Sequence, residues 1–265
     1  MFLARLLVLF SLVCISCAHS SFEQKQLKHA LDFATSNRLE LEILLQHYTY
    51  DSLKLEAAKF LIRNMPHCYS YQQGGEMDSV KRVRTYYSPF GQIDQTYARR
   101  WGHYTYRNLP KIYDAHIITA EYLIDNIDRA FDNWQKRPWN RSLSFEDFCE
   151  YLLPYRIGDE PLEEWRELYE KKYGYLLDSI YKGGDVVEAA NLVSRHLQEP
   201  VFIYCEDFEL PHIGPRYLFS HRYGSCVDAA DIVTYAFRAV GIPCMEDTDA
   251  RGGHVWNVVR DTTGR

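Results

Sequence analysis

The first half of the chain carries apolar residues three and four positions apart, the spacing that predicts helices with one buried face. The apolar stripes lie in four segments, at 27–34, 41–45, 53–61 and 120–134. Asp51 can cap the third helix, which should end near Asn64 because Pro66 disfavours helix at the residue before it. We predict the fourth helix from Asp114 to the residue before Pro138, and we assign all four faces to packing.

Near its end the chain combines a helical stripe with a strand pattern. In the segment GSCVDAADIVTYAFRAVGIP the small and apolar positions form one stripe that begins at Cys226, and Gly241 can end the helix. The next segment, HVWNVV, has the aromatic and β-branched residues of a strand, and alternation puts His254 and Trp256 on one face. We therefore predict a helix followed closely by a strand.

The first residues have the pattern of an export signal. An apolar stretch over 6–15, too short to span a bilayer, follows a basic residue, and the small Ser16 precedes Cys17. This order resembles a bacterial lipoprotein signal, in which cleavage leaves the cysteine as a lipidated N-terminus. We predict a signal peptide over 1–16 and a lipid anchor at Cys17, which would hold the exported protein on a bacterial membrane, in the periplasm or at the cell surface. The alternative is an ordinary secretory signal cleaved at or beyond Ala18.

Composition and charge narrow the range of partners. The chain has 265 residues, 46% of them apolar, which is enough for a folded core. Its 30 basic and 36 acidic residues give a net charge of −6 without a cluster of Lys and Arg, so we expect no nucleic-acid partner. Of the seven cysteines, Cys14 lies in the signal and Cys17 is the predicted anchor, which leaves an odd number without disulfide or zinc-finger spacing. We therefore expect at least one free thiol, no metal site and no cofactor.

Cys226 and His254 are the candidate catalytic residues. A cysteine at a helix N-terminus lies among unpaired amides at the positive end of the helix dipole, which favour a thiolate and can donate to an oxyanion. His254 follows two glycines, and it can act as the general base if its strand packs against this helix. Taken singly, each residue is better explained by packing, as a core cysteine or a strand-edge histidine. Taken together, their order along the chain favours a catalytic role for both residues.

The end of the chain resembles the core of the transglutaminase-like superfamily. The segments GSCVDAADIVTYAFRAVGIPC and GGHVWNVV carry the likeness. They contain a Gly-x-Cys at the start of a helix, an RAVGIP sequence at the end of that helix and a His-x-Trp on a strand. Two earlier segments, AAKFLIRNMPHCYSY and FEDFCEYLLPYRIGDEPLEEWR, also resemble bacterial secreted members. The resemblance implies a papain-like α+β fold. We place this core at 141–265, after the mostly helical region over 17–140 that the apolar spacing predicts. The resemblance also implies a Cys-His-Asp site in which Cys226 is the nucleophile and His254 the base.

The third residue of such a site is not found by this pattern. In the family it is an acid on the strand after the His-Trp strand, and the sequence stops at Arg265 before any such strand. We therefore expect that the core is incomplete at its C-terminus and that this fragment is inactive. Asp261 is a poor substitute, because RDTTGR is typical of a turn and alternation puts Asp261 on the face opposite His254. Asp247 and Asp249 are the other acids nearby.

The pattern also does not identify the residue that would donate a hydrogen bond to the oxyanion. Tyr155, Arg156 and Trp165 are candidates, and a packed junction between two helices is the alternative explanation for each of them. The sequence as a whole predicts an exported cysteine enzyme that attacks a peptide or protein amide and forms a thioester. Hydrolysis is favoured over transamidation, since transfer requires a site that excludes water. The alternative function is a catalytically silent binding or structural module of a surface lipoprotein.

Overall fold

The computed structural model describes residues 21–75, 77–79, 81, 106–199, 201–204 and 210–261. The predicted signal peptide and Cys17 lie outside the described residues, and so does Cys205. Within these ranges, no helix is both long enough and apolar enough to cross a bilayer.

Helices dominate the described residues. In chain order they are α1 (21–33), α2 (Arg38–His47), α3 (Ser52–Asn64), α4 (Ala120–Lys136), α5 (Phe145–Tyr151), α6 (Arg166–Tyr175), α7 (Val186–Leu197), α8 (Pro215–Ser220) and α9 (Cys226–Ala239). The short strands are β1 (Tyr69–Tyr71), β2 (Lys111–Tyr113), β3 (Ile203–Tyr204), β4 (Tyr223–Gly224), β5 (Cys244–Thr248) and β6 (Val255–Val259). They pair as β1 with β2 and β5 with β6, both antiparallel, and as β3 with β4, parallel. The α+β class expected from the sequence is confirmed.

The boundaries of the predicted helices depend on their caps. The Asp51 carboxylate accepts a hydrogen bond from the amide of Lys54, so this predicted cap is confirmed, and α3 ends at Asn64. The predicted start of the fourth helix at Asp114 is wrong. Asp114 belongs to a separate 3-10 turn, and α4 begins at Ala120 because the Thr119 hydroxyl caps it.

Two large apolar clusters form the core. The first packs α1 to α5 together and contains Phe148, and the second surrounds α9 and contains Tyr169 and Tyr235. Trp139, which precedes Phe148 in the chain, belongs to the second cluster. The two clusters therefore interleave around the predicted boundary between the helical region and the core.

Arg166 joins these two clusters at the start of α6. Its side chain is buried, and its guanidinium donates hydrogen bonds to the Asn126 side chain and to the carbonyls of Leu152, Leu153, Pro154 and Arg238. These acceptors belong to α4, to the segment after α5 and to α9. One buried cation therefore satisfies carbonyl groups that would otherwise remain unpaired between the elements.

The hairpin formed by β5 and β6 packs against α9. The side-chain amide of Asn257 donates to the carbonyl of Ala230 at 2.9 Å and to the hydroxyl of Thr234 at 2.9 Å. Since alternate strand residues share a face, Asn257 and Val255 face the helix, whereas Trp256 faces away from it. The contact fixes which side of the hairpin meets the helix.

Candidate functional site

Cys226 is the first residue of α9, as the sequence predicts. The preceding residue, Ser225, closes a capping box in which its amide and its hydroxyl donate to Oδ2 of Asp228 at 2.7 and 3.0 Å. The Cys226 side chain is half-buried and its thiol is free. The helix therefore begins at a residue fixed by this capping box, and the thiol of that residue is partly exposed. Its role as a nucleophile stays a prediction.

His254 lies directly before β6, with its side chain exposed. The rings of His254 and Trp256 are 6.1 Å apart, so the two residues share a face, and alternation places that face opposite Asn257 and α9. Among the described residues, no hydrogen bond joins the imidazole to the Cys226 thiol. The structure thus brings the His254 strand to the helix of Cys226 but directs the imidazole away from it.

The acids near His254 have separate surroundings. Asp247 pairs across the hairpin with Trp256 and is exposed, so it shares the face of His254. Asp249 instead organises the hairpin loop, because its Oδ1 accepts from the amides of Arg251 at 3.1 Å and Gly253 at 2.7 Å. Asp249 lies directly opposite His254, because its amide donates to the His254 carbonyl at 3.1 Å, whereas Asp247 lies opposite Trp256.

The three oxyanion candidates are engaged in a buried junction. The Tyr155 hydroxyl donates to Asp114 at 3.0 Å, and the Arg156 guanidinium donates to the same carboxylate at 2.6 and 2.5 Å. The indole of Trp165 donates to the carbonyl of Tyr155 at 2.9 Å. These contacts are those of the packed junction considered as the alternative. An oxyanion role for any of the three stays a prediction.

A cluster that the sequence reasoning missed lies on the buried side of α9. His212, Asp231 and Glu246 come from the loop before α8, from α9 and from β5, and their ligand atoms all lie within 4.8 Å of one another. Nδ1 of His212 is 2.9 and 3.0 Å from the two oxygens of Asp231. The side chain of Asp231 is 0% exposed, and the Thr234 hydroxyl donates to Glu246 at 3.1 Å.

The three side chains of this cluster shift one another's pKa values. Burial alone would lower the pKa of His212, but the carboxylate of Asp231 and its hydrogen bond raise it to about 10. Burial and the negative charge of Asp231 raise the pKa of Glu246 to about 8. Burial also raises the pKa of Asp231, although the positive charge of His212 and its hydrogen bond oppose this rise.

The surroundings of the cluster fix the imidazole. A side chain at Gly158 would overlap the His212 ring, so the ring lies directly on this backbone. The backbone amide of His212 donates to Asp159 at 2.9 Å. Glu160 is buried nearby and accepts from the amides of Ile157 and Gly158, which adds a further carboxylate to the region. The loop thus holds His212 close to the buried carboxylates of this region.

Only one signal in the sequence could have indicated this cluster. Asp231 lies inside a helix whose neighbouring residues are small or apolar, and a carboxylate buried in such a helix requires a partner.

Comparisons with family models, with curated proteins and with solved structures find no match to this chain. The transglutaminase-like resemblance therefore depends on the quoted motifs alone.

Proposed function

We propose that the protein is an exported, transglutaminase-like cysteine enzyme that hydrolyses an amide bond, with the papain-like core that this family implies. The observation that carries the proposal is Cys226, which presents a free, half-buried thiol at the first residue of α9. The amides of the first helical turn and the helix dipole favour negative charge at this point.

The reaction proceeds through an acyl-enzyme. His254 takes the proton of the Cys226 thiol, Sγ adds to the substrate carbonyl carbon, and the resulting oxyanion accepts hydrogen bonds from amides at the start of α9. The C–N bond then breaks, and His254 gives the departing amine its proton, which leaves a thioester. Water, deprotonated by His254, cleaves the thioester and releases the carboxylic acid and the thiol.

This mechanism requires His254 to turn towards α9. The hairpin tip before it contains Gly252, with a φ of +69°, and Gly253, which give the backbone the freedom for such a change. Export and anchoring at Cys17 belong to the same proposal. Substrates would then be peptide, protein or cell-wall peptide amides outside the cytoplasm.

The alternative is a catalytically silent module of a surface lipoprotein. It is favoured by the exposed position of His254 on the face of β6 that points away from the helix. In such a module Cys226 would serve only to begin α9, and no acyl group would form on it.

The two functions differ in whether an acyl group appears on Cys226. The purified protein is incubated with peptide and cell-wall peptide libraries, quenched in acid and mapped by mass spectrometry. For a chain that carries the third acid of the site, we expect an acyl adduct on Cys226 and product release, both abolished by Cys226→Ala and both retained by Cys68→Ala as the matched control. Cys226→Ala should cost about 1 kcal/mol or less in stability, so it tests chemistry rather than folding. A substrate that Cys226→Ala turns over at the wild-type rate would contradict the mechanism.

A further inference from the structure

The cluster on the buried side of α9 has the composition of a metal site. We propose that His212, Asp231 and Glu246 bind one divalent transition-metal ion of the Zn²⁺ or Mn²⁺ class. One imidazole nitrogen and two carboxylates form a mixed N/O donor set, which suits these ions better than the softer Cu(I). This inference is independent of the function proposed for Cys226.

The donor atoms are already close to the required spacing. A tetrahedral zinc ion with bonds of about 2.0–2.2 Å needs ligand atoms about 3.4 Å apart. Nδ1 of His212 and the nearer oxygen of Asp231 are 2.9 Å apart, and all three ligand atoms lie within 4.8 Å of one another. A shift of about half an ångström in Asp231, and of up to about 1.4 Å in Glu246, would complete the geometry.

A divalent cation would also suit the charge of the cluster. Two neighbouring carboxylates in a buried setting are unfavourable when both are ionised, unless a cation lies close to them. Asp231 is 0% exposed, and Glu160 adds a third buried carboxylate close by. A divalent ion would balance Asp231 and Glu246 together and would leave the imidazole of His212 neutral.

Tyr235 provides an independent indication of a ligand. It follows Asp231 by one helical turn on α9 and is 0% exposed, yet its hydroxyl makes no hydrogen bond of ordinary geometry. Burial, and then the negative charges of Glu160 and Asp231, hold the pKa of Tyr235 well above its usual range, so the hydroxyl stays protonated in the neighbourhood of these acids. A water molecule in the fourth position of the metal would give this buried donor an acceptor.

Such an ion would be coordinated by residues of three different elements. It would tie the loop before α8 and the strand β5 to α9, and β5 is the partner of the strand that follows His254. We therefore expect the metal to stabilise the hairpin against the helix. This is a structural role, separate from any chemistry at the thiol.

The test uses the whole purified chain, stripped with EDTA and dialysed against ZnCl₂ or CoCl₂. We expect one saturable ion per chain, visible as d–d absorption with Co²⁺, and a rise in melting temperature. Glu246→Gln and His212→Gln should each weaken binding at least tenfold. Asp247→Asn, the exposed neighbour of Glu246, and Cys226→Ala should bind as the wild type does.

Three results would overturn the proposal. They are a lack of saturable binding by the folded wild-type chain, unchanged affinity in both Glu246→Gln and His212→Gln, and loss of binding in Cys226→Ala. Glu246 is only half-buried, so Glu246→Gln should fold, and circular dichroism checks this. Because binding is measured without a substrate, its failure is distinct from failure of the proposed amide hydrolysis.

Discussion

Gly241 forms the turn that sends the chain from α9 into β5, and alanine at this position should be strongly destabilising. Its φ is +82°, and an added Cβ would lie 2.8 Å from the carbonyl oxygen of Asn133 and 2.8 Å from Cγ of Arg137. The Gly241 carbonyl accepts from the Trp139 indole and from the Asn140 side chain, each at 2.9 Å. The turn therefore cannot move without disturbing both of these bonds.

The expected loss of stability in Gly241→Ala has two separate contributions. Placing an L-residue in the left-handed region costs about 1–2 kcal/mol. Forcing a methyl group against a packed backbone costs about 1–3 kcal/mol more. Gly252→Ala isolates the first cost, since Gly252 has a φ of +69° and no atom within 4 Å of an added Cβ. We thus expect a loss of about 2–5 kcal/mol for Gly241→Ala and about 1–2 kcal/mol for Gly252→Ala.

Urea unfolding followed by far-ultraviolet circular dichroism measures both variants under the same conditions. The difference between them reports the close approach of α4 to the turn after α9. If Gly241→Ala unfolds at the same urea concentration as Gly252→Ala, the packing described for this turn is wrong.

Three further predictions concern other parts of the chain. Arg166→Met should cost about 3 kcal/mol or more in urea unfolding, because it leaves several buried carbonyls unpaired, and a loss below about 1 kcal/mol would contradict that role. Burial raises the pKa of Cys149 and of Cys244 to about 12, so both thiols should resist alkylation at pH 8 until urea unfolds the chain. Peptide mapping checks this, and rapid labelling of the folded protein would refute it. Cys17→Ala should release the protein from the membrane fraction, whereas an unmodified N-terminus at residue 18 or later would exclude the anchor.

Local features of the fold were accessible from the sequence. The start of α9 at Cys226 and the cap of α3 at Asp51 depend on residues within one turn of each other. The start of α4 lies six residues after the predicted Asp114, because the Thr119 hydroxyl caps the helix. In the fold, Asp114 instead accepts hydrogen bonds from Arg156, which is 42 residues away.

The remaining features depend on contacts between distant segments. Alternation placed His254 and Trp256 on one face, but only the bonds of Asn257 to α9 decide which face meets the helix. Likewise, Asp231 and its partner His212 are 19 residues apart without any recognisable spacing. Tertiary packing, rather than a motif, brings such residues together, and for that reason the cluster could not be predicted.

The pairing of Cys226 with His254 is the central claim, and the rate of thiol alkylation tests it most directly. Iodoacetamide labelling at pH 6.5 is followed by peptide mapping in the wild type, in His254→Ala and in the control His47→Ala, which removes an exposed histidine on α2. We predict that Cys226 reacts fastest of the thiols in the described residues, and that His254→Ala slows it at least tenfold while His47→Ala does not. Equal rates at Cys226 in the wild type and in His254→Ala would contradict the account.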